Sequence, residues 1–190
     1  MPDPPEEVVK QLIRLYKKGD LAAVIQRAQG LTKNYPKSFM IWNVLGAANK
    51  GLNRTKEASR AFKIVTELNA NYADGFSNLA VTLQDLGKLD EALDAYKKSL
   101  SLKPDNAKTL TNMGVTLKEQ GKLKEAVQTY QKALSIQPDN CEAYNNMGNA
   151  LRAEGQLKEA IKAYQNALSI KPNYAEAHNN LGDAFKAQGK

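Results

Sequence analysis

The sequence predicts an all-α protein, a solenoid of antiparallel helix hairpins, and three observations carry that expectation. Glycine recurs at Gly114, Gly148 and Gly182, a step of 34 residues, within a sequence that nearly repeats itself. Inside each unit the apolar residues fall three or four apart, the spacing of one helix face. A second glycine and a proline then punctuate the units at fixed offsets, as at Gly121 and Pro138. A self-similar period of roughly 20 to 50 residues marks stacked supersecondary units, each too small to bury its apolar face alone.

The unit is clearest over 107–140. Leu110, Met113, Gly114 and Leu117 share one face of a first helix, and Gly121 closes it, because glycine tolerates the left-handed backbone at a helix end. Leu123, Ala126, Tyr130 and Ala133 form the buried stripe of a second helix, which Pro138 stops because it has no amide hydrogen to donate. Asp139 is expected to cap the following helix, with Glu142 three residues on completing a capping box.

The other units follow in order. Residues 5–38 keep Leu15, Gly19, Ala28 and Pro36 but place Leu12 and Val24 where the later units have small residues. Residues 39–72 supply Trp42, Leu45, Gly46, Ala58 and Phe62, with Asn53 in place of the closing glycine and Ala70 in place of proline. Residues 73–106 carry Phe76, Leu79, Ala80, Leu83, Gly87, Ala92, Tyr96, Ser99 and Pro104. Residues 141–174 match throughout: Tyr144, Met147, Gly148, Leu151, Gly155, Ala160, Tyr164, Ala167 and Pro172. Residues 175–190 contain only a first helix, with Leu181, Gly182 and Phe185 in the packing positions. Divergence at the first units fits a capping role. The half-unit at the other end suggests the amino-terminal piece of a longer protein, or a single capping helix. Its uncovered face around Leu181 and Phe185 invites head-to-tail self-association.

Small or aromatic residues at the fourth, eighth, twentieth, twenty-fourth and twenty-seventh positions, with proline at the thirty-second, resemble the tetratricopeptide repeat (TPR) signature. The resemblance covers the whole chain as one domain of five repeats and a fragment. It implies a right-handed superhelix whose first helices line a concave groove, with the second, fifth, sixth, ninth, twelfth and thirteenth positions facing in. The sixth position reads Lys10, Val44, Asn78, Asn112, Asn146 and Asn180. Four asparagines in register resemble the concave array of O-linked N-acetylglucosamine transferases, and the repeats as a whole resemble the amino-terminal arrays of those enzymes and of bacterial TPR multidomain proteins. An amide both donates and accepts, so such a ladder can hold the backbone of an extended peptide. The ninth position passes from apolar Val81 and Val115 to polar Asn149 and Asp183, and Lys108 and Asn145 complete the expected groove. The carboxylate clamp that captures chaperone tails is matched only at Asn78 and Lys108, which disfavours that ligand.

Charge and inventory narrow the function further. Of the net charge of +7, most sits early: residues 1–72 carry 12 Lys or Arg against 6 Asp or Glu, and residues 73–190 carry 15 against 14. A basic end can attract nucleic acid or acidic protein. However, Tyr96, Tyr130 and Tyr164 lie on the packing stripe and leave few aromatics to stack on bases, which argues against nucleic acid. His178 is the sole histidine and is expected to pack, since Leu110 and Tyr144 hold its position in earlier units. Cys141 is the sole cysteine, so no internal disulfide forms and a reducing, cytoplasmic setting is expected. Asp90 and Glu91 start a second helix, where the helix dipole favours them. No stretch reads as a signal or membrane span, and no phosphate loop or Cys-x-x-Cys pair occurs. No catalytic, cofactor-binding or metal-binding residue is expected, and the chain is not read as an enzyme. The expectation is a bacterial, cytoplasmic protein-interaction scaffold. The alternative is a substrate-recognition module of a larger glycosyltransferase, sulfotransferase or oxygenase.

Overall fold

A computed structural model describes residues 4–189, and among these it holds eleven helices and no strand. They fall into two compact units, one ending at Leu102 and the other beginning at Lys103. The first contains α1 (Glu6–Lys17), α2 (Leu21–Asn34), α3 (Phe39–Gly51), α4 (Thr55–Leu68), α5 (Ala73–Asp85) and α6 (Leu89–Leu102). The second contains α7 (Ala107–Glu119), α8 (Leu123–Ile136), α9 (Cys141–Ala153), α10 (Leu157–Ile170) and α11 (Ala175–Ala187). Each odd helix pairs with the even helix after it, and α11 has no such partner among the described residues. Within each unit an even helix also packs on the next odd one, which stacks the hairpins.

First helices close as the sequence predicts. Gly121 adopts φ 74°, and the amide of Lys122 behind it bonds the Leu117 carbonyl at 2.9 Å. Asn53 replaces glycine at φ 57°, and the corresponding bond from Arg54 to Asn49 is again 2.9 Å. Asparagine is the residue that best stands in for glycine there, because its short polar side chain tolerates the left-handed region. Ala70 in place of proline likewise changes nothing: α4 ends at Leu68, just as α8 ends at Ile136.

The capping expectation needs correction. Asn140, rather than Asp139, caps α9, its side chain accepting from the Ala143 amide at 3.0 Å. Asp139 stands one residue too early to reach that amide, so Glu142 is not the reciprocal partner. Asn106 and Asp20 cap α7 and α2 in the same way, each at 3.1 Å. Such caps are worth about 1 kcal/mol each.

Glycine against aromatic is what brings the two helices of a hairpin together. A Cβ built on Gly114 would lie 2.5 Å from the Tyr130 ring, one on Gly148 2.5 Å from Tyr164, and one on Gly46 2.7 Å from Phe62. Tyr96, Tyr130 and Tyr164 are fully buried, and burying a side chain of this size contributes roughly 2–3 kcal/mol. At Gly182 nothing lies within 4 Å, and no helix follows α11 among the described residues to bring an aromatic ring against it. The first hairpin inverts the sizes: Leu12 and Val24, at positions where small residues were expected, are fully buried beside Ile25, Ala28 and Ile41.

The packing expected of His178 is not observed. Its ring is exposed, with Nε2 donating to the Pro172 carbonyl at 2.8 Å. Trp42, at the same repeat position, donates to Pro36 at 2.9 Å, so the residue ties the start of a first helix to the preceding turn.

Candidate first-helix binding face

In the second unit α9 packs directly on both α7 and α11, so the three first helices lie side by side. Asn112, Asn146 and Asn180 occupy equivalent positions on them, and all three are half-buried. Their surroundings differ. The Asn180 amide donates to Asn145 Oδ1 at 2.9 Å, and Asn145 Nδ2 donates to Glu176 Oε1 at 3.0 Å. Asn145 is fully buried, so this residue, predicted to face a ligand, instead fastens α9 to α11.

The same bond recurs in the first unit, where Asn78 on α5 donates to Asn43 on α3 at 3.4 Å. A sixth-position amide is thus engaged where the fifth position of the preceding repeat is asparagine. Ahead of Asn146 that position is Thr111, which is buried. Its hydroxyl donates to the Ala107 carbonyl at 2.9 Å and accepts from Asn140 at 3.3 Å. The side-chain amide of Asn146 consequently has no hydrogen bond among the described residues, and that of Asn112 has none either.

Val115 lies half-buried on α7, and Lys108 is exposed on the same helix. Asn149 accepts a 2.8 Å hydrogen bond from the Tyr164 hydroxyl, which orients its amide. Val81 is half-buried on α5 in the first unit, alongside Asn78. In the second unit, therefore, Lys108, Asn112, Val115 and Asn146 are available, while Asn145, Asn149 and Asn180 are held by neighbours.

Two charged braces were not anticipated. Arg152 on α9 meets Asp183 on α11 at 3.5 Å, and in the first unit Lys50 on α3 meets Asp85 on α5 at 3.8 Å. Both join successive first helices, and a pair this exposed is worth no more than about 1 kcal/mol. Their signal in the sequence was opposite charge on neighbouring repeats at groove-facing positions.

The buried phenols are packing groups. Burial pushes Tyr130 far above its usual range, with Glu119 and Glu142 adding to the effect. Burial also raises Tyr164, against the opposing pull of Arg152. Tyr174 is pushed up to about 12, by burial first and then by Glu176, Glu142 and Cys141. None ionises at neutral pH, so the unengaged groups of this face include the neutral amides of Asn112 and Asn146, the short apolar side chain of Val115 and the exposed cation of Lys108. Such a set suits an extended polar chain better than a reacting group.

Three sequence profiles match the chain. One described as a TPR repeat covers residues 116–152 and 148–189, and two described as tetratricopeptide repeats cover 73–106 and 95–128. Together they span well over half of it. Among curated protein sequences none matches significantly. Among solved structures, that of MamA superposes with a TM-score of 0.79 at 23% identity, covering 86% of this chain and 95% of that one. YrrB, described as a TPR protein with an unusual peptide-binding site, gives 0.79 at 17% identity, covering 93% and 91%. The first TPR of Spaghetti (RPAP3), bound to the HSP90 peptide SRMEEVD, gives 0.61 at 29% identity, covering 62% and 94%. No helix among the described residues is long and apolar enough to cross a membrane.

Proposed function

Since the chain belongs to the tetratricopeptide repeat family, we propose that it is a non-catalytic cytoplasmic scaffold that receives an extended peptide on the first-helix face of its second unit. The observation that carries this reading is the pair of unengaged amides, Asn112 and Asn146, set one repeat apart beside Val115 and Lys108. Each amide can donate to a peptide carbonyl and accept from a peptide N–H, so together they hold backbone without reading its side chains. Val115 takes a small apolar side chain, and Lys108 favours an acidic one. Asn145, Asn149 and Asn180 act by holding the helices at a fixed spacing, and Asn78 does the same on the first unit through Asn43.

Two structural relatives are described by the peptides or peptide sites they carry, which supports a peptide as the ligand class. Hydrogen bonds netting about 0.5–1.5 kcal/mol each give only a few kcal/mol before association costs. Micromolar affinity is expected, on the order of −8 kcal/mol in total with the side-chain contacts.

The test is a peptide-library pull-down with the native protein and with Asn112→Ala/Asn146→Ala, after circular dichroism shows equal helicity. Loss of enrichment in the variant is the expected result. Equal enrichment by both proteins would remove these amides from the site.

A further inference from the structure

The first unit has a trough between its second helices that the second unit lacks the residues to form. It lies between α4 and α6 over a floor supplied by α5, with a volume of about 890 Å³. Its origin is visible in the repeat register. At the twenty-first position of a repeat stand Leu93, Val127 and Ile161, all buried, and at the twenty-eighth stand Leu100, Leu134 and Leu168. The repeat containing α4 has Ser59 and Thr66 at these two places. Two large apolar side chains are therefore replaced by small polar ones, while the floor of Phe76, Leu79, Leu83 and Leu86 remains apolar. The Thr66 hydroxyl donates to the Lys63 carbonyl at 2.8 Å, so it places no polar demand on the trough.

The two walls differ in charge. On α6, Glu91 is paired with Lys88 at 2.8 Å and Asp94 with Lys97 at 3.6 Å. On α4, Lys56, Arg60 and Lys63 are exposed along one helix face and have no ion pair among the described residues. Glu67 ends this rim and Lys98 stands on the opposite wall. The rim from Lys56 to Glu67 runs about 16 Å, three turns of helix.

We propose that this trough is a second docking surface, which takes a short amphipathic helix of a partner protein. The helix sets its apolar stripe into the space left by Ser59 and Thr66 and turns an acidic edge toward Lys56, Arg60 and Lys63. A helix rather than a strand is favoured by the floor, whose apolar residues are spaced three and four apart along α5 and so match the ridge of a second helix. The acidic edge follows from the three unpaired cations, which gain a partner that α6 does not offer. This surface is separate from the first-helix face, and neither inference depends on the other.

Fluorescence anisotropy of a labelled synthetic helix of about 14 residues, with leucines at i, i+3, i+4 and i+7 and glutamates along one edge, tests this on the full chain. The native protein should bind this probe and should bind a copy with lysines in place of glutamates about tenfold more weakly or less. Ser59→Leu/Thr66→Leu, which fills the trough as the later repeats do, should weaken binding at least about tenfold with no loss of thermal stability. Arg60→Glu/Lys63→Glu, which changes only exposed side chains, should do the same even if the filled variant packs poorly. Asn112→Ala/Asn146→Ala should bind normally. Unchanged binding by both trough variants, or equal binding of the lysine copy, would overturn the proposal. So would absence of peptide binding together with binding to phosphatidylserine vesicles that the trough variants lose, which would identify a lipid surface instead.

Discussion

The repeat at 39–72 and the repeat at 107–140 share a skeleton and differ in what surrounds it. In both, an aromatic ring of the second helix presses on a glycine of the first, Phe62 on Gly46 and Tyr130 on Gly114. In both, the first helix closes on a left-handed residue, Asn53 in one and Gly121 in the other. Around that shared seam the first repeat has Ser59 and Thr66 where the other has Val127 and Leu134. Phe62 needs no hydrogen-bond partner, whereas the Tyr130 hydroxyl is buried without an acceptor among the described residues. The glycine–aromatic seam sets how closely two helices approach, so residues away from it can change the surface while the hairpin stays the same. A trough can thus be opened in one repeat and closed in another at little cost to the fold.

Breaking the seam should have the largest effect. Gly148→Ala drives a Cβ into the fully buried Tyr164 ring and should cost about 1–3 kcal/mol, read as a fall in the thermal or urea midpoint. Gly182→Ala occupies the same repeat position with open space around it and should stabilise α11 by up to about 1 kcal/mol. Similar losses at both positions would mean that the tyrosine ring is not what requires glycine.

The phenols sharpen the contrast. Tyr164→Phe removes a 2.8 Å hydrogen bond to Asn149 and should cost about 1 kcal/mol. Tyr130→Phe removes a buried hydroxyl that has no acceptor and should be neutral or stabilising. Val115 explains the difference, since it stands on α7 where Asn149 stands on α9.

Alkaline pH should act in the same direction. A phenol whose folded pKa is raised keeps its proton in the native state while the unfolded chain loses it near pH 10. Its stabilising contribution is complete below that value and falls as pH rises further. Stability measured by urea titration should decline above about pH 10, and less steeply in Tyr130→Phe. The smallest effect is expected at the first-unit turn, where Asn53→Gly relieves a left-handed non-glycine residue and should add about 0.5 kcal/mol.

Helix boundaries and the order of the hairpins were legible in the sequence because they depend on residues at fixed offsets within one unit, whereas the meeting of Gly114 with the Tyr130 ring became visible only in the fold. The N-cap was misplaced by one residue because Asp139 and Asn140 can both cap, and only the backbone decides which side chain precedes the first helical residue. Binding residues were less legible because their state depends on the neighbouring repeat. Asn112, Asn146 and Asn180 look alike along the chain, yet Asn180 is engaged because Asn145 precedes it by 35 residues and Asn146 is not because Thr111 does. The α4–α6 trough depends likewise on comparing one repeat with its successors, since Ser59 and Thr66 are ordinary polar residues of a helix when read in isolation.

The most direct measurement is a titration of isotope-labelled protein with a peptide enriched by the native chain, following the side-chain amide resonances of its asparagines. Asn112 and Asn146 should shift first and furthest, with Asn145 and Asn180 moving little and the backbone of Ser59 and Arg60 unchanged. Shifts concentrated on α4 and α6, with Asn112 and Asn146 still, would contradict peptide binding at the first-helix face.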